Sequence, residues 1–162
     1  MQVRILPGVL GVSHHTKDKG DLGVFKAQSD LAEQGYMILH PLTEHAAFDL
    51  VIYKDRNFQR VQVRYRACSH SGCLSVRLCS IWNDRHGVHR QLMNKDEVDV
   101  VCIYCPDTDK CYYFDPNQIN QSITLRVRPS GNKQKKAVRL AEDYRKVPEC
   151  IRPSAQELTD RL

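Results

Sequence analysis

Apolar residues recur with helical spacing near the beginning of the chain. They follow a polar segment, 16–21, whose Thr, Asp and Gly residues are typical of helix starts, and they are Leu22, Phe25, Leu31 and Ala32. This spacing predicts a helix over 16–34. Gly35, by its position, is expected to end it.

Beyond residue 35 the pattern changes to alternating apolar and polar positions, which is typical of strands. Strands are predicted at 36–42, 48–53, 58–65, 73–82, 98–105, 110–114 and 123–127. The polar segment 83–89 is predicted to be a loop, and an apolar stripe within 134–146 predicts a second helix. This order predicts an α/β fold, bordering on α+β, with a mixed central sheet flanked by helices.

The length of 162 residues suits a single domain, which we assign to 15–150. Residues 1–14 lack a long apolar region and a small-residue cleavage site, so we interpret them as a leader or cloning extension that is expected to be disordered. Residues 151–162 are assigned to a C-terminal tail. No run approaches the roughly 18 apolar residues of a membrane span.

The predicted hairpin over 48–65 places an acid, an amide and a guanidinium on one face. Because side chains alternate along a strand, its apolar residues point to one side, and Asp49, Gln62 and Arg64 point to the other. The carboxylate, the Gln62 amide oxygen and the Val63 carbonyl are hard oxygen donors suited to Mg²⁺. Arg64 could hold a phosphate. These residues favour phosphodiester hydrolysis, and the alternative is a solvated sheet face without chemistry.

The net charge of +5, from 24 Lys and Arg against 19 Asp and Glu, gives modest support for a polyanionic partner. Arginine reads guanine edges, and lysine and short polar side chains contact the phosphate backbone. The candidate DNA-binding residues are Lys17, Lys19, Arg66, Ser69, His70, Arg77, Arg85, His86, Arg90, Lys133, Lys135 and Lys136. For each of them the alternative is ordinary solvated surface.

The chain contains seven cysteines, an odd number without the spacing of a disulfide framework. They predict reduced thiols in the cytoplasm. The residues Cys68, Cys73, Cys102, Cys105 and Cys111 could supply four thiolates to a structural zinc ion. The simpler interpretation is that those in apolar runs are small buried residues, because Cys102 and Cys105 face opposite sides of one strand.

Five short segments occur in a specific order: Lys-Gly-Asp-Leu-Gly at 19–23, Gln-Gly-Tyr at 34–36, Pro-Leu-Thr-Glu at 41–44, Phe-Asp-Leu at 48–50, and Val-Gln-Val-Arg-Tyr-Arg at 61–66. In this order they resemble the PD-(D/E)XK homing endonucleases of cyanobacterial type that are encoded by group I introns. The resemblance extends over roughly 16–148. It implies a restriction-endonuclease-like core in which Asp49 takes the place of the central acid, Gln62 that of the second acid and Arg64 that of the lysine.

The resemblance also implies an activity. A member of this family would be a Mg²⁺-dependent, site-specific endonuclease that cuts double-stranded DNA and thereby permits intron mobility. Mn²⁺ or Ca²⁺ could replace Mg²⁺ in binding. Because a small domain reads a long duplex only in several copies, a homodimer or a tetramer built as a dimer of dimers is expected.

Three departures from the family pattern bear on this activity. Gln62 replaces an acid, Arg64 replaces a lysine, and Val24 stands where relatives carry a glutamate on the first helix. Asp21 or Glu44 could compensate for the missing glutamate. Two further functions therefore stay open: a DNA-binding module of nuclease fold that does not cut, and a Holliday-junction resolvase or repair nuclease.

Overall fold

The computed structural model describes residues 16–43, 45–128 and 138–149, so that the predicted leader and tail lie outside the described residues. One long helix, α1 (Thr16–Glu33), precedes nine strands: β1 (Met37–Leu39), β2 (Leu50–Lys54), β3 (Asn57–Tyr65), β4 (Cys73–Arg77), β5 (Cys79–Asp84), β6 (Gly87–Leu92), β7 (Val100–Cys105), β8 (Lys110–Phe114) and β9 (Ser122–Arg126). Short 3₁₀ helices cover Pro116–Gln118 and Ala141–Tyr144.

The central sheet has five strands in the order β1-β2-β3-β7-β8. Neighbouring strands are antiparallel except for β3 and β7, which are parallel, and this makes the sheet mixed, as the sequence predicted. The pairing of Leu50 with Val61 confirms the predicted hairpin of β2 and β3. A parallel pair requires a long crossover, and here β4, β5 and β6 occupy it.

Helix α1 covers one face of the sheet. Gly23, Ala27 and Leu31 recur every four residues and form the buried stripe of the helix. They pack on side chains of β2, β3 and β7 such as Leu50 and Val61, and this first core also contains Cys102 and Tyr113. The helix therefore covers the apolar side of the β2–β3 hairpin.

The opposite face of the sheet is only partly covered. Strands β4 and β9 pair into a separate two-stranded sheet, and they pack on β7 and β8 in a second core centred on Ile103 and Tyr112. Among the described residues, no side chain of β2 or β3 belongs to this second core. The face of β2 and β3 that carries Gln62 and Arg64, called the open face below, therefore lies outside the second core, with both side chains half-buried.

The predicted loop over 83–89 is wrong, since Asn83 and Asp84 end β5 and Gly87 begins β6. The hairpin closes through an Asx turn in which the His86 N–H donates to the Asp84 carboxylate at 2.7 Å. The side chains of 83–88 are exposed, which explains why the segment lacks apolar alternation. The single strand predicted over 73–82 is likewise two strands, β4 and β5, separated at Leu78.

The predicted C-terminal helix over 134–146 is wrong in its described part, whereas 134–137 lies outside the described residues. Leu140 is extended and forms a parallel bridge with Arg126 at the end of β9. The Arg126 N–H donates to the carbonyl of Arg139 at 2.8 Å. Only a single 3₁₀ turn, Ala141–Tyr144, follows, because the backbone partners of this segment lie on β9 rather than within a helix.

Larger side chains at two glycines of α1 are expected to have opposite effects on the stability of the fold. A Cβ on Gly23 would lie 3.6 Å from Val63 Cγ1 and Tyr65 Cβ, which leaves room for a methyl group, whereas Gly20 has open space. We expect Gly20→Ala to raise the free energy of unfolding by about 1 kcal/mol. Gly23→Leu should lower it by roughly 1–3 kcal/mol through overpacking.

Urea unfolding followed by circular dichroism measures both effects. Gly20→Leu is the matched control, because it adds the same side chain to the exposed surface of the same helix. Equal unfolding midpoints for the two leucine variants would contradict the packing of α1 on β3.

Candidate active site

Asp49 lies immediately before β2, where the strand pairing begins. Its N–H donates to the carbonyl of Val61 at 2.9 Å, which anchors the residue against β3. Its carboxylate Oδ2 accepts the N–H of Val63 at 2.6 Å. Asp49 is exposed as a residue, and this hydrogen bond holds its carboxylate beside the middle of β3.

Burial raises the pKa of Asp49 above its ordinary value, and it does so against two opposing influences. The Val63 N–H donated to the carboxylate lowers the pKa, and so does the positive charge of Arg64. Because the pKa is raised overall, the Val63 hydrogen bond and the Arg64 charge only partly offset the cost of burying the ionised carboxylate. A further cation beside Asp49 would stabilise its charged form.

Gln62 and Arg64 are two residues apart on β3 and point to the same face, as the alternation predicted. Arg64 Nη2 donates to Gln62 Oε1 at 3.2 Å. Burial lowers the pKa of Arg64, although the guanidinium remains far above neutrality, and the charge of Asp49 opposes the shift. The pair forms a short polar row across the open face.

Arg64 Nε is buried and has no hydrogen-bond acceptor among the described residues. Leaving a buried donor unpaired costs about 1–3 kcal/mol, so such atoms are rare in native proteins and call for an explanation. The guanidinium lies close enough to Asp49 for the two charges to influence each other's pKa. An unpaired cationic donor next to a carboxylate suits an anionic ligand.

Arg60, on the same strand, is by contrast fully engaged by the protein. Its guanidinium donates to both carboxylate oxygens of Asp99 at 3.0 Å and to the carbonyl of Asp96 at 2.6 Å. Asp99 is buried and also accepts the Arg60 main-chain N–H at 2.7 Å. This pair, which the sequence analysis missed, joins β3 to the segment before β7. A pairing of a strand arginine with an acid 39 residues later leaves no local sequence signal.

The oxygen donors near Asp49 fit a hard divalent cation. The N–H and C=O groups of a strand residue leave the strand on the same edge, so the Val63 carbonyl faces the edge on which Asp49 lies. One carboxylate, one amide oxygen from Gln62 and one carbonyl are the ligand types that Mg²⁺ accepts. Val24 has an aliphatic side chain without an oxygen donor, and it packs against the first core. Asp21 is exposed on α1, and Glu44 lies outside the described residues.

A family model described as PD-(D/E)XK endonuclease matches residues 14–147. The chain belongs to this endonuclease family. The PD-(D/E)XK family and the predicted fold class are both confirmed, although one flank of the sheet is formed by strands rather than by a second helix.

The solved structure of a bacterial homing endonuclease, I-Ssp6803I, resembles this PD-(D/E)XK endonuclease with a TM-score of 0.69 and 21% sequence identity. The match covers 82% of this chain and 89% of that chain, which establishes a shared fold. No curated protein sequence matches the chain. Within the described residues, no helix of the endonuclease is both long and apolar enough to cross a membrane.

The candidate DNA-binding residues of the endonuclease lie on several exposed elements. Lys17 and Lys19 lie at the start of α1, and Arg66 lies just beyond β3. The others that are described occupy the loop after β3, the end of β4 and the β5–β6 hairpin: Ser69, His70, Arg77, Arg85, His86 and Arg90. Lys133, Lys135 and Lys136 lie outside the described residues.

The cysteines of the endonuclease do not form the predicted four-thiolate set. Cys102 and Cys111 belong to the first core and Cys105 to the second, as expected from their opposite directions on the sheet. Cys73 Sγ donates to the Ser71 carbonyl at 3.8 Å. Two separate pairs of cysteines approach each other instead: Cys68 and Cys105, with their Sγ atoms 3.6 Å apart, and Cys102 with Cys111. Burial raises the pKa of the Cys68 thiol to about 11, and its hydrogen bond with Cys105 adds to the shift.

Proposed function

We propose that this chain is a site-specific, metal-dependent DNA endonuclease of the homing class. The observation that carries the proposal is the buried, unpaired Nε of Arg64 beside Asp49, on the open face of the hairpin. A phosphate oxygen would satisfy this donor and would lie next to the carboxylate. The structural likeness to a bacterial homing endonuclease supports the homing assignment.

Asp49, Gln62 and the Val63 carbonyl would hold Mg²⁺, for which Mn²⁺ or Ca²⁺ could substitute in binding. When bound, the cation supplies charge neutralisation at the phosphate and a water of lowered pKa. Asp49 provides the single negative ligand, so metal affinity should depend chiefly on this residue. The Val63 N–H keeps its carboxylate oriented.

Arg64 would bind the scissile phosphate through Nε and offset the charge that develops during cleavage. It stands in the position of the family's lysine, but its pKa, although lowered by burial, stays too high for proton transfer at neutral pH. Gln62 orients the guanidinium by accepting a hydrogen bond from Nη2. In this proposal Arg64 binds the phosphate and Asp49 binds the metal ion.

The substrate we propose is double-stranded DNA, which the exposed basic residues would bind. The hairpin of β5 and β6 is a two-stranded ribbon that carries Arg85, His86 and Arg90 and pairs with no other strand of the described structure. A two-stranded ribbon fits the major groove of B-DNA. The basic residues outside the described structure, Lys133, Lys135 and Lys136, remain predicted contacts.

We propose a homo-oligomer, either a dimer or a dimer of dimers, as the form that reads a long target. Strand β1 forms an edge of the sheet and exposes Met37 and Leu39, and Phe25 on α1 is 66% exposed. Exposed apolar side chains of this size are suited to contacts between copies. Light scattering should give at least twice the chain mass, and a monomer would contradict this proposal.

The test is cleavage of a supercoiled plasmid that carries a ligated-exon target, with and without Mg²⁺. Cutting at one site only when Mg²⁺ is present supports the proposed function. Tight DNA binding without cutting would favour a binding module instead. Cutting of a four-way junction in preference to the duplex would favour a resolvase or repair nuclease.

Restoring the family's second acid should strengthen metal binding. Gln62→Glu adds a second negative ligand next to Asp49 and can still accept the Arg64 hydrogen bond. We expect the Mg²⁺ concentration for half-maximal cleavage to fall about tenfold, since the added charge attracts a divalent cation at short range. A titration of the cleavage rate with Mg²⁺ measures the shift.

Gln118→Glu is the matched control, because it introduces the same charge at an exposed 3₁₀ turn outside the site. An unchanged Mg²⁺ requirement in Gln62→Glu would remove Gln62 from the metal site.

A further inference from the structure

Three potential metal ligands converge at the end of the central sheet where the parallel strands β3 and β7 both end. Cys105 ends β7, Asp107 lies in the turn between β7 and β8, and Cys68 lies in the loop that follows β3. Their ligand atoms all lie within 4.8 Å of one another. Cys105 and Asp107 are neighbours in sequence, whereas Cys68 is distant, and the parallel pairing of β3 with β7 brings it to them.

The distances match those of tetrahedral zinc. Zn–S bonds of about 2.3 Å place two sulfur ligands about 3.8 Å apart, and a sulfur and an oxygen ligand about 3.6 Å apart. The two Sγ atoms here are separated by 3.6 Å, and Cys105 Sγ lies 4.0 Å from Asp107 Oδ2. Small side-chain rotations suffice to centre an ion among the three atoms.

The backbone already holds this arrangement in place. Asp107 Oδ2 accepts the main-chain N–H of Cys68 at 2.6 Å, which ties the loop to the turn. Cys105 is completely buried, Cys68 is half-buried and Asp107 is exposed. A cation here would have a protein side formed by the thiolates and a solvent side where a water completes the tetrahedron.

We propose that Cys68, Cys105 and Asp107 bind a Zn²⁺ ion that fastens the loop after β3 to the turn between β7 and β8. Two soft thiolates select Zn²⁺ over Mg²⁺, so this site is chemically distinct from the oxygen ligands around Asp49. The proposal stands independently of DNA cleavage. Its role is to fix the loop that carries Ser69 and His70, two of the predicted DNA contacts.

The first experiment measures metal content and ligand chemistry in the full chain. After reconstitution under reducing conditions and gel filtration, we expect about one zinc ion per chain. Replacement of zinc by Co²⁺ should produce the thiolate-to-cobalt charge-transfer absorption in the near ultraviolet. Asp49→Asn should leave both signals unchanged, because Asp49 belongs to the other site.

Variants identify the ligands. Cys68→Ser should abolish the cobalt absorption or reduce it severalfold, and Asp107→Asn should weaken zinc binding while keeping the thiolate absorption. Cys73→Ser is the matched control, since Cys73 begins β4, the strand that follows the Cys68 loop, and its thiol donates to the Ser71 carbonyl. Melting temperature with and without zinc should differ for the parent chain and not for Cys68→Ser.

Several outcomes would overturn the proposal. One is a parent chain that takes up no zinc or cobalt from a reducing buffer. A second is a cobalt signal that survives Cys68→Ser but disappears in Cys73→Ser. A third is a mass loss of two hydrogens on mild oxidation, traced to Cys68 and Cys105 in a chain that has no zinc affinity when reduced, which would identify a redox pair.

Discussion

Asp49→Asn is expected to reduce the single-turnover rate of DNA cleavage by about 10³-fold or more, because the loss of metal-borne charge stabilisation amounts to several kcal/mol. Asp49 is the only carboxylate that the described site offers to a cation, alongside Gln62 and the Val63 carbonyl. The asparagine oxygen can still accept the Val63 N–H. The loss should therefore arise from the missing charge rather than from a disordered hairpin.

The same variant is expected to stabilise the metal-free protein at neutral pH. The folded pKa of Asp49 is raised above its unfolded value, so the folded state binds more protons between those two values. The free energy of unfolding therefore falls as the pH rises through this window, and the ionised carboxylate destabilises the fold above it. Asp49→Asn removes that charge and should therefore raise the free energy of unfolding at neutral pH.

Two measurements check Asp49→Asn together. Plasmid cleavage in saturating Mg²⁺ gives the rate, and urea unfolding in a chelator at several pH values gives the stability. The free energy of unfolding of the variant should exceed that of the parent by an amount that grows as the pH rises between the unfolded and folded pKa values of Asp49. This difference should vanish below both values. A variant that cuts as fast as the parent would exclude Asp49 from the metal site.

Arg64→Met is expected to lower the cleavage rate by about 10²–10³-fold, the effect of removing a donor that stabilises developing charge. The methionine fills much of the same space without the buried, unpaired Nε. The folded protein should therefore lose little stability. Arg64→Lys restores the residue type of the family and keeps the charge, so it should retain more activity than Arg64→Met.

The readout for Arg64 is the rate of cleavage of prebound DNA, with affinity measured separately by filter binding in Ca²⁺. Arg56→Asn is the matched control, because it removes an exposed arginine from the turn before β3, and asparagine tolerates the positive φ of that position. A loss confined to affinity, with an unchanged rate on bound DNA, would assign Arg64 to general DNA binding.

Local patterns predicted the parts of the fold where one face of a strand is buried. The alternation in β2 and β3 placed Asp49, Gln62 and Arg64 on one face, since an apolar core fixes the register of the hairpin. Helix α1 was predicted to within one residue of its observed end, because its buried stripe recurs with helical spacing. The family resemblance then indicated which polar row to propose as the site.

The remaining features depend on contacts that are distant in sequence. Residues 83–88 of the β5–β6 ribbon are all exposed, so no burial imposes alternation there, and the polar composition of 83–89 suggested a loop. The extended segment at Leu140 is determined by β9 and not by its own apolar stripe. Cys68 meets Cys105 and Asp107 because β3 and β7 pair in parallel, a contact across 37 residues of chain.

That parallel pairing also constrains how the chain folds. Val61 of β3 pairs with Val100 of β7, which is synthesised 39 residues later, so during translation β3 has an unpaired edge until β7 leaves the ribosome. Pairings at such separations slow folding, because a long loop must close first. Asp99, which binds both the guanidinium and the main-chain N–H of Arg60, lies at the entrance to this pair and can set its register. A nascent chain that ends before β7 would therefore lack the parallel pair that supports the proposed site, and the proposed DNA cleavage would have to wait until β7 has been made.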